Sequence, residues 1–298
     1  MMVKLSLNIA QVAIVIYIED LLAYIVPHLE KIFSGFLYHR TDQDAVLTIS
    51  YESLTYQESR FEPVILSQEN NLENKEIFNA LEKHYPLLKD ALVVGFLNGC
   101  LAYNRGSQRA HLALFQAENT SSHIVSMHKL LFVFMCTLMA ERNKLILHGA
   151  GIKNGQDGYL FLGESGAGKS TIASFVQKEE VLSDDSPIIA QREDGFYMCA
   201  SPYSQVNMFD TKKSDYYKKE TQLKTLYFLN KADQLYQRPR KKRSALGEII
   251  ARHIHAFEFM DKKSKYAAFN ICYDLCNTIP GYDLYFQKNN KFWQCVAE

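Results

Sequence analysis

Net charge is the first thing this sequence lacks. Its 33 Lys and Arg are matched by 33 Asp and Glu, so no whole-chain field draws it to nucleic acid, a membrane surface or another polyanion. It also lacks zinc-type cysteine pairs. The six cysteines include no C-x-x-C, and the closest two, Cys272 and Cys276, stand four residues apart. That spacing suits a helix better than a metal knuckle, and a reduced, cytoplasmic protein is the economical reading. Long apolar runs are missing as well: Val12 to Ile18 and Leu130 to Ala140 both fall short of the roughly 20 residues that span a bilayer. The first of these also lacks the cationic flank and cleavage site of a secretory signal. No internal repeat is present, and no low-complexity tract apart from one basic loop near residue 240.

What remains is an ordinary globular composition. At 298 residues, 47% hydrophobic and 22% charged, the chain can bury a sizeable core, and its length predicts two domains rather than one. Residues 1–120 read as an α+β domain without a chemical signature. Val12 to Ile18, Ala45 to Tyr51 and Ala110 to Phe115 have strand composition. Asp20 to Phe33 and Asn74 to Leu88 have helical spacing, the first interrupted at Pro27 and the second ending near Pro86, with a polar loop expected over Glu58 to Lys75.

Residues 121–298 form the second expected domain. Ser121 to Asn143 is the longest helical candidate, with Ser121 or Ser122 as N-cap. A short buried strand is predicted over Leu145 to Ala150, ending around His148-Gly149, and Asp157-Gly158 marks a tight hairpin turn. Tyr159 to Leu162 then runs as a strand into Gly163-Glu164-Ser165-Gly166-Ala167-Gly168-Lys169-Ser170-Thr171. The first eight of these residues fit G-x-x-x-x-G-K-[ST], between the hydrophobic strand and the helical run from Thr171 that the motif needs. Glycine lets the backbone wrap closely around a triphosphate, Lys169 can reach the β and γ phosphates, and the Ser170 hydroxyl can bind Mg²⁺. A chance strand-turn-helix is the bland alternative, made less attractive by three glycines within six residues.

Val181-Leu182-Ser183-Asp184-Asp185 follows as a short apolar strand ending in two carboxylates. Beside a phosphate loop, such a strand positions an acidic group at bound Mg²⁺, and successive side chains alternate so that a second carboxylate faces an incoming hydroxyl. The competing reading is a polar turn before Pro187.

The order of motifs resembles a known family. His148-Gly149-Ala150, the loop at 163–171 and Leu182-Ser183-Asp184-Asp185 are similar to the C-terminal catalytic domain of HPr kinase/phosphorylase proteins, over about residues 125–298. Ser244 to Ala256 resembles that family's late helix, and Ile279 to Leu284 its closing strand. The resemblance implies an α/β nucleotide-binding domain of the kind shared with ATP-dependent phosphoenolpyruvate carboxykinase. It also implies ATP and Mg²⁺ as cofactors and γ-phosphate transfer to a hydroxyl of a peptide, a protein or a small metabolite. Lys169 would contact phosphates, Ser170 and Asp185 would hold the metal, Asp184 would be the base and His148 would lie near the phosphates. The roles of the two aspartates could be exchanged.

Two departures bear on the substrate. The family's Glu-Ile-Arg-Gly motif is replaced by Ser201 to Asn207, which contains no carboxylate, and its Arg-Pro-Gly-Arg-Asn loop by Arg238-Pro239-Arg240-Lys241-Lys242-Arg243. Arg243 is the nearest match to the catalytic arginine and Arg240 the second. These differences weigh against HPr itself as acceptor and against the reverse phosphorylase reaction.

Other readings compete. Asn230-Lys231-Ala232-Asp233 spells the N-K-x-D of a GTPase after a strand-like Leu226 to Leu229, though no D-x-x-G precedes it. A non-catalytic nucleotide-binding scaffold is the third class, and a homo-oligomer is compatible with all three. His253 and His255, two apart on an expected helix, point to different faces and make a poor metal pair. Trp293 reads as a packing residue, and Ser214 to Glu220 as a solvated loop. Finally, the zero net charge is uneven: eleven Lys and Arg against four Asp and Glu between Asp210 and Arg243 give a local +7, suited to a triphosphate or an acidic peptide.

Overall fold

The computed structural model describes residues 2–38, 43–54, 63–66, 77–79, 81–82, 91–177, 180–204, 219–287 and 289–296. The chain is mixed α/β and divides into two compact units, Met1–Leu138 with Glu258–Asp261, and Met139–Phe257 with Lys262–Glu298.

The first unit is built on a seven-stranded sheet among the described residues. Its strands are β1 (Met2–Ile9), β2 (Val12–Glu19), β3 (Ala45–Glu52), β4 (Val64–Ile65), β5 (Ala91–Phe96), β6 (Gly99–Asn104) and β7 (Arg109–Phe115), ordered β1-β2-β3-β7-β6-β5-β4. β1 and β2 form an antiparallel hairpin closed by Ala10 and Gln11, both at positive φ, whereas β3 runs parallel to β2 and β7. The expected helix over Asp20 to Phe33 is two pieces, a 3₁₀ turn at Asp20–Ile25 and then α1 (Val26–Ile32). Pro27 therefore opens a helix instead of kinking one, because its missing N–H costs nothing in a first turn. Of Asn74 to Leu88, residues 77–79 and 81–82 are helical; the rest of it, and most of Glu58 to Lys75, lies outside the described residues.

The division between units falls at 138/139 rather than 120/121, because α2 (Thr120–Ala140) packs on the first sheet. Leu130 and Ser126 lie against Gly99, and the Phe134 ring meets Tyr103 edge-on at 5.2 Å. By length and composition α2 could cross a membrane, but most of it is buried inside the protein. Its cap is Asn119, whose Oδ1 accepts from the backbone N–H of Ser122 at 3.0 Å, not Ser121 or Ser122.

The second unit carries β8 (Lys144–Ile146), β9 (Gly149–Asn154), β10 (Asp157–Leu162), β11 (Val181–Ser183), β12 (Ile188–Arg192), β13 (Gly195–Cys199), β14 (Glu220–Lys231), β15 (Tyr236–Pro239) and β16 (Gly281–Phe286). The sheet order is β11-β9-β10-β14-β13-β12-β8, with β16 paired to both β14 and β15. Leu145 to Ala150 is not one strand: β8 pairs with β12, β9 with β10 and β11, and Leu147-His148 bridges the break. The β9–β10 hairpin turns at Gly155-Gln156, where Gly155 adopts φ +62, so Asp157-Gly158 already belongs to β10. α3 (Lys169–Ser174) follows the glycine-rich loop, α4 (Lys242–Glu248) the basic loop, and α5 (Lys262–Thr278) precedes β16. Ile152, Phe161, Ile172, Tyr227, Leu284 and Phe292 are buried together in this unit's core, against which Trp293 packs. All six cysteines are free thiols, and all but Cys295 are buried.

Candidate functional site

Strand direction decides what meets at one edge of the second sheet. β9 is antiparallel to both β10 and β11, so those two strands run the same way and end on the same side. Leu162 delivers the glycine-rich loop there, Ser183 delivers Asp184-Asp185, and His148 stands just before the start of β9. The break around His148 is tied down by backbone bonds, Leu147 N–H to Pro187 O at 3.1 Å and Gly149 N–H to Asp185 O at 3.0 Å.

A cavity of about 340 Å³ opens at this edge, lined by His148, Ser165, Gly166, Gly168, Lys169, Ser170, Thr171, Asp184 and Asp185. Of the expected loop residues, Gly163, Glu164 and Ala167 shape the turn without lining the cavity. Gly166 and Gly168 adopt φ of +76° and +116°, the left-handed region that side chains with a Cβ enter at a cost. Gly168 also has no room for one, since a Cβ there would come 2.7 Å from the Phe286 ring. Lys169 is buried, and its ammonium donates to the carbonyls of Gly163 at 2.8 Å and Glu164 at 3.1 Å. Burial pushes its pKa below the ordinary lysine value, against the opposing pull of Asp185.

The two aspartates are held differently. Asp184 is buried, and its Oδ1 accepts from the Ser204 hydroxyl at 2.7 Å. Asp185 is half exposed; its Oδ2 accepts from Ser186 Oγ at 3.0 Å, and its Oδ1 lies 3.5 Å from His148 Nε2. Burial first, and then the Lys169 ammonium, hold the His148 pKa below the usual imidazole value, with Asp185 pulling the other way. The balance favours the neutral imidazole.

The late helix is only partly a helix. α4 passes into a π-helical turn at Ile249–His253, after which Ile254 is extended and bridges antiparallel to Leu147. In extended chain, residues two apart face the same side, so His253 and His255 both turn toward His148. The His148 ring stacks on His255 at 5.4 Å and 9° and meets His253 edge-on at 6.4 Å. The expectation of opposite helix faces for the two histidines fails here. His253 is buried, hydrogen-bonds His148 O through Nδ1 at 3.0 Å, and has Glu248 beside Nε2 at 3.5 Å.

The arginines do not follow the sequence-based expectation. Arg243 is exposed on the first turn of α4 and does not line the cavity. Arg240 lies over the Phe228 ring and pairs with Asp283 and Glu248. It is Arg252, from the π-helical turn, that pairs with Glu164 of the glycine-rich loop. Ser204, Ser186, His255 and Arg252 thus join the site without having been singled out for it. Residues 205–207 and 214–218 lie outside the described residues. Among the described residues no group of three or more His, Cys, Asp or Glu side chains could hold a metal.

A family model for ScmC, described as a SynChlorMet cassette protein, matches residues 113–298. The chain belongs to the ScmC family. The ScmC match starts within β7 and takes in α2, the whole second unit and thus every residue of the cavity. No curated protein matches the chain.

Proposed function

We propose that the second unit is an ATP- and Mg²⁺-dependent kinase, with an HPr-kinase and phosphoenolpyruvate-carboxykinase-like fold, that passes the γ-phosphate to a serine-type hydroxyl. The acceptor is a peptide, a protein or a small metabolite, met in the cytoplasm without nucleic acid or membrane. One observation carries this reading: a glycine-rich loop, a buried lysine, a histidine and two carboxylates converge on a single cavity.

The residues fit both groups. The positive-φ glycines keep the loop free of side chains where a polyphosphate would lie, and α3 begins at Lys169, so its first amides lie at the cavity. Mg²⁺ keeps several waters and is bound through one or two carboxylates together with substrate phosphates. The absence of a third protein ligand among the described residues is therefore no obstacle, and Ser170 and Asp185 would hold the ion. Bound there, Mg²⁺ supplies charge neutralisation at the phosphates.

The chain's own groups account for the rest. Lys169 contributes a fixed positive charge in a half-enclosed site, where it counts for more than in water. Asp184, held by Ser204, takes the proton from the acceptor hydroxyl as the nucleophilic oxygen attacks. His148 lines the wall beside Asp185. Arg243, outside the cavity, has no part in this scheme as the chain stands. The deciding experiment measures transfer of labelled γ-phosphate to serine-containing peptides and hydroxylated metabolites. Asp184→Asn is expected to lower transfer by about 10²- to 10⁴-fold while ATP binding stays within a few-fold; transfer unaffected by the change sinks the assignment.

A second reading takes GTP as donor. Asn230-Lys231-Ala232-Asp233 leaves the end of β14, which pairs in parallel with the phosphate-loop strand β10 up to Leu162 opposite Phe228. Direct competition between ATP and GTP for the wild-type chain separates the two.

A further inference from the structure

Asp185 and His148 both face the cavity, and both are open enough to solvent for their side chains to need holding: the Asp185 side chain is 50% exposed and that of His148 36%. Asp184, by contrast, is already buried. Among the described residues, His255 touches the means of holding both exposed groups. His255 Nε2 lies 3.2 Å from Ser186 Oγ, which donates to Asp185 Oδ2 at 3.0 Å, and the His255 ring is stacked on that of His148.

The hydrogen bonds have a direction. A serine hydroxyl has one proton, and an ionised carboxylate only accepts. Ser186 therefore gives its proton to Asp185 and must accept from His255, which fixes His255 with a proton on Nε2. The backbone anchors this residue against the same wall: His255 N–H donates to Ile146 O at 3.1 Å, and His148 N–H donates to His253 O at 2.7 Å.

We propose that His255 is the positioning residue of the site, orienting the Asp185 carboxylate through Ser186 and fixing the His148 ring plane by stacking. Its consequence for metal use rests on the kinase reading above. The hydrogen-bond chain itself does not.

Three variants of the full chain separate the two devices. His255→Phe keeps a stacking ring and loses the donor, His255→Gln keeps a side-chain N–H and loses the ring, and Ser186→Ala cuts the chain at its middle. Release of γ-phosphate from ATP is followed against Mg²⁺ concentration, beside ATP binding without metal. His255→Phe and Ser186→Ala are expected to raise the half-saturating Mg²⁺ concentration by about 10- to 100-fold, the usual effect of removing an outer-shell partner. Metal-free ATP affinity should hold within about twofold, and His255→Gln should recover most of the Mg²⁺ response. An unchanged Mg²⁺ response in His255→Phe, or a parallel loss of metal-free ATP binding, overturns the assignment.

Nitrogen-15 NMR of the histidine rings at neutral pH gives a readout independent of activity. The expected signature is a His255 ring that carries a proton on Nε2, and a ring protonated on Nδ1 alone rejects the chain. A wild-type protein that binds no nucleotide would refute the kinase reading, and the tautomer would still decide the role of His255.

Discussion

On the proposed kinase reading, Lys169 is the residue on which nucleotide binding would turn. A charge-assisted hydrogen bond is worth about 1.5–3 kcal/mol, so Lys169→Ala is expected to weaken ATP binding by at least about 10- to 100-fold in calorimetric titration. The Arg252–Glu164 pair belongs to a different class. Both side chains are more than half exposed, so Arg252→Ala is expected to change stability by less than about 1 kcal/mol in urea unfolding. A larger loss would mean that the pair holds the loop's shape. Position in the sequence was enough to nominate Lys169, Ser170, Asp184, Asp185 and His148, because each sits inside or beside a motif whose chemistry demands it. Ser204 and Ser186 were not legible, since a serine that holds a carboxylate looks like any serine in a turn. Arg243 was nominated by its place in a resembling loop, yet it is exposed and away from the cavity. The arginine that meets the glycine-rich loop comes nine residues later, from a turn that no motif marks.

At the scale of elements, the glycine-rich loop at 163–170 is set by backbone strain that glycine relieves. Gly168→Ala places a Cβ at φ +116 and drives it into the Phe286 ring. We expect a loss of about 1–2 kcal/mol or more from the backbone alone, read as a lower urea midpoint. Gly168→Ala with Phe286→Leu should recover the steric part and leave the backbone part. Apolar periodicity found the strands Val12–Glu19, Ala45–Glu52, Arg109–Phe115 and the long helix α2 within a few residues. It missed breaks made by pairing. Leu145 to Ala150 is apolar throughout, and only partner strands on different sides of the sheet split it at His148. The late helix fails for the same reason: after Ile249–His253 the chain gains more by bridging Leu147 than by another helical turn, and helical phase puts His255 on the wrong face. A histidine, one residue and a second histidine is also the period of a strand, and that was the signal in the sequence.

For the whole molecule, the buried imidazoles set a direction for pH. Burial holds His253 below the ordinary value near 6.5, against the pull of Glu248, and burial with His28 nearby does the same to His128. Between the lowered native pKa and 6.5 the unfolded chain binds more protons, so this stability is complete above about pH 6.5 and is lost as pH falls below it. The urea midpoint should be lower at pH 5.5 than at pH 7.5, and His128→Gln should flatten the difference. The free thiols carry a further consequence. Burial pushes Cys199 up to about 12 and Cys276 to about 11, and raises Cys100, Cys136 and Cys272 as well. A thiol reagent needs exposed thiolate, so at neutral pH its attack on these five is gated by opening of the surrounding structure. Cys100 and Cys136 belong to the first unit and the other three to the second. Mass-resolved alkylation of the unmodified protein therefore times the opening of each unit separately, with Cys295 as the faster internal clock.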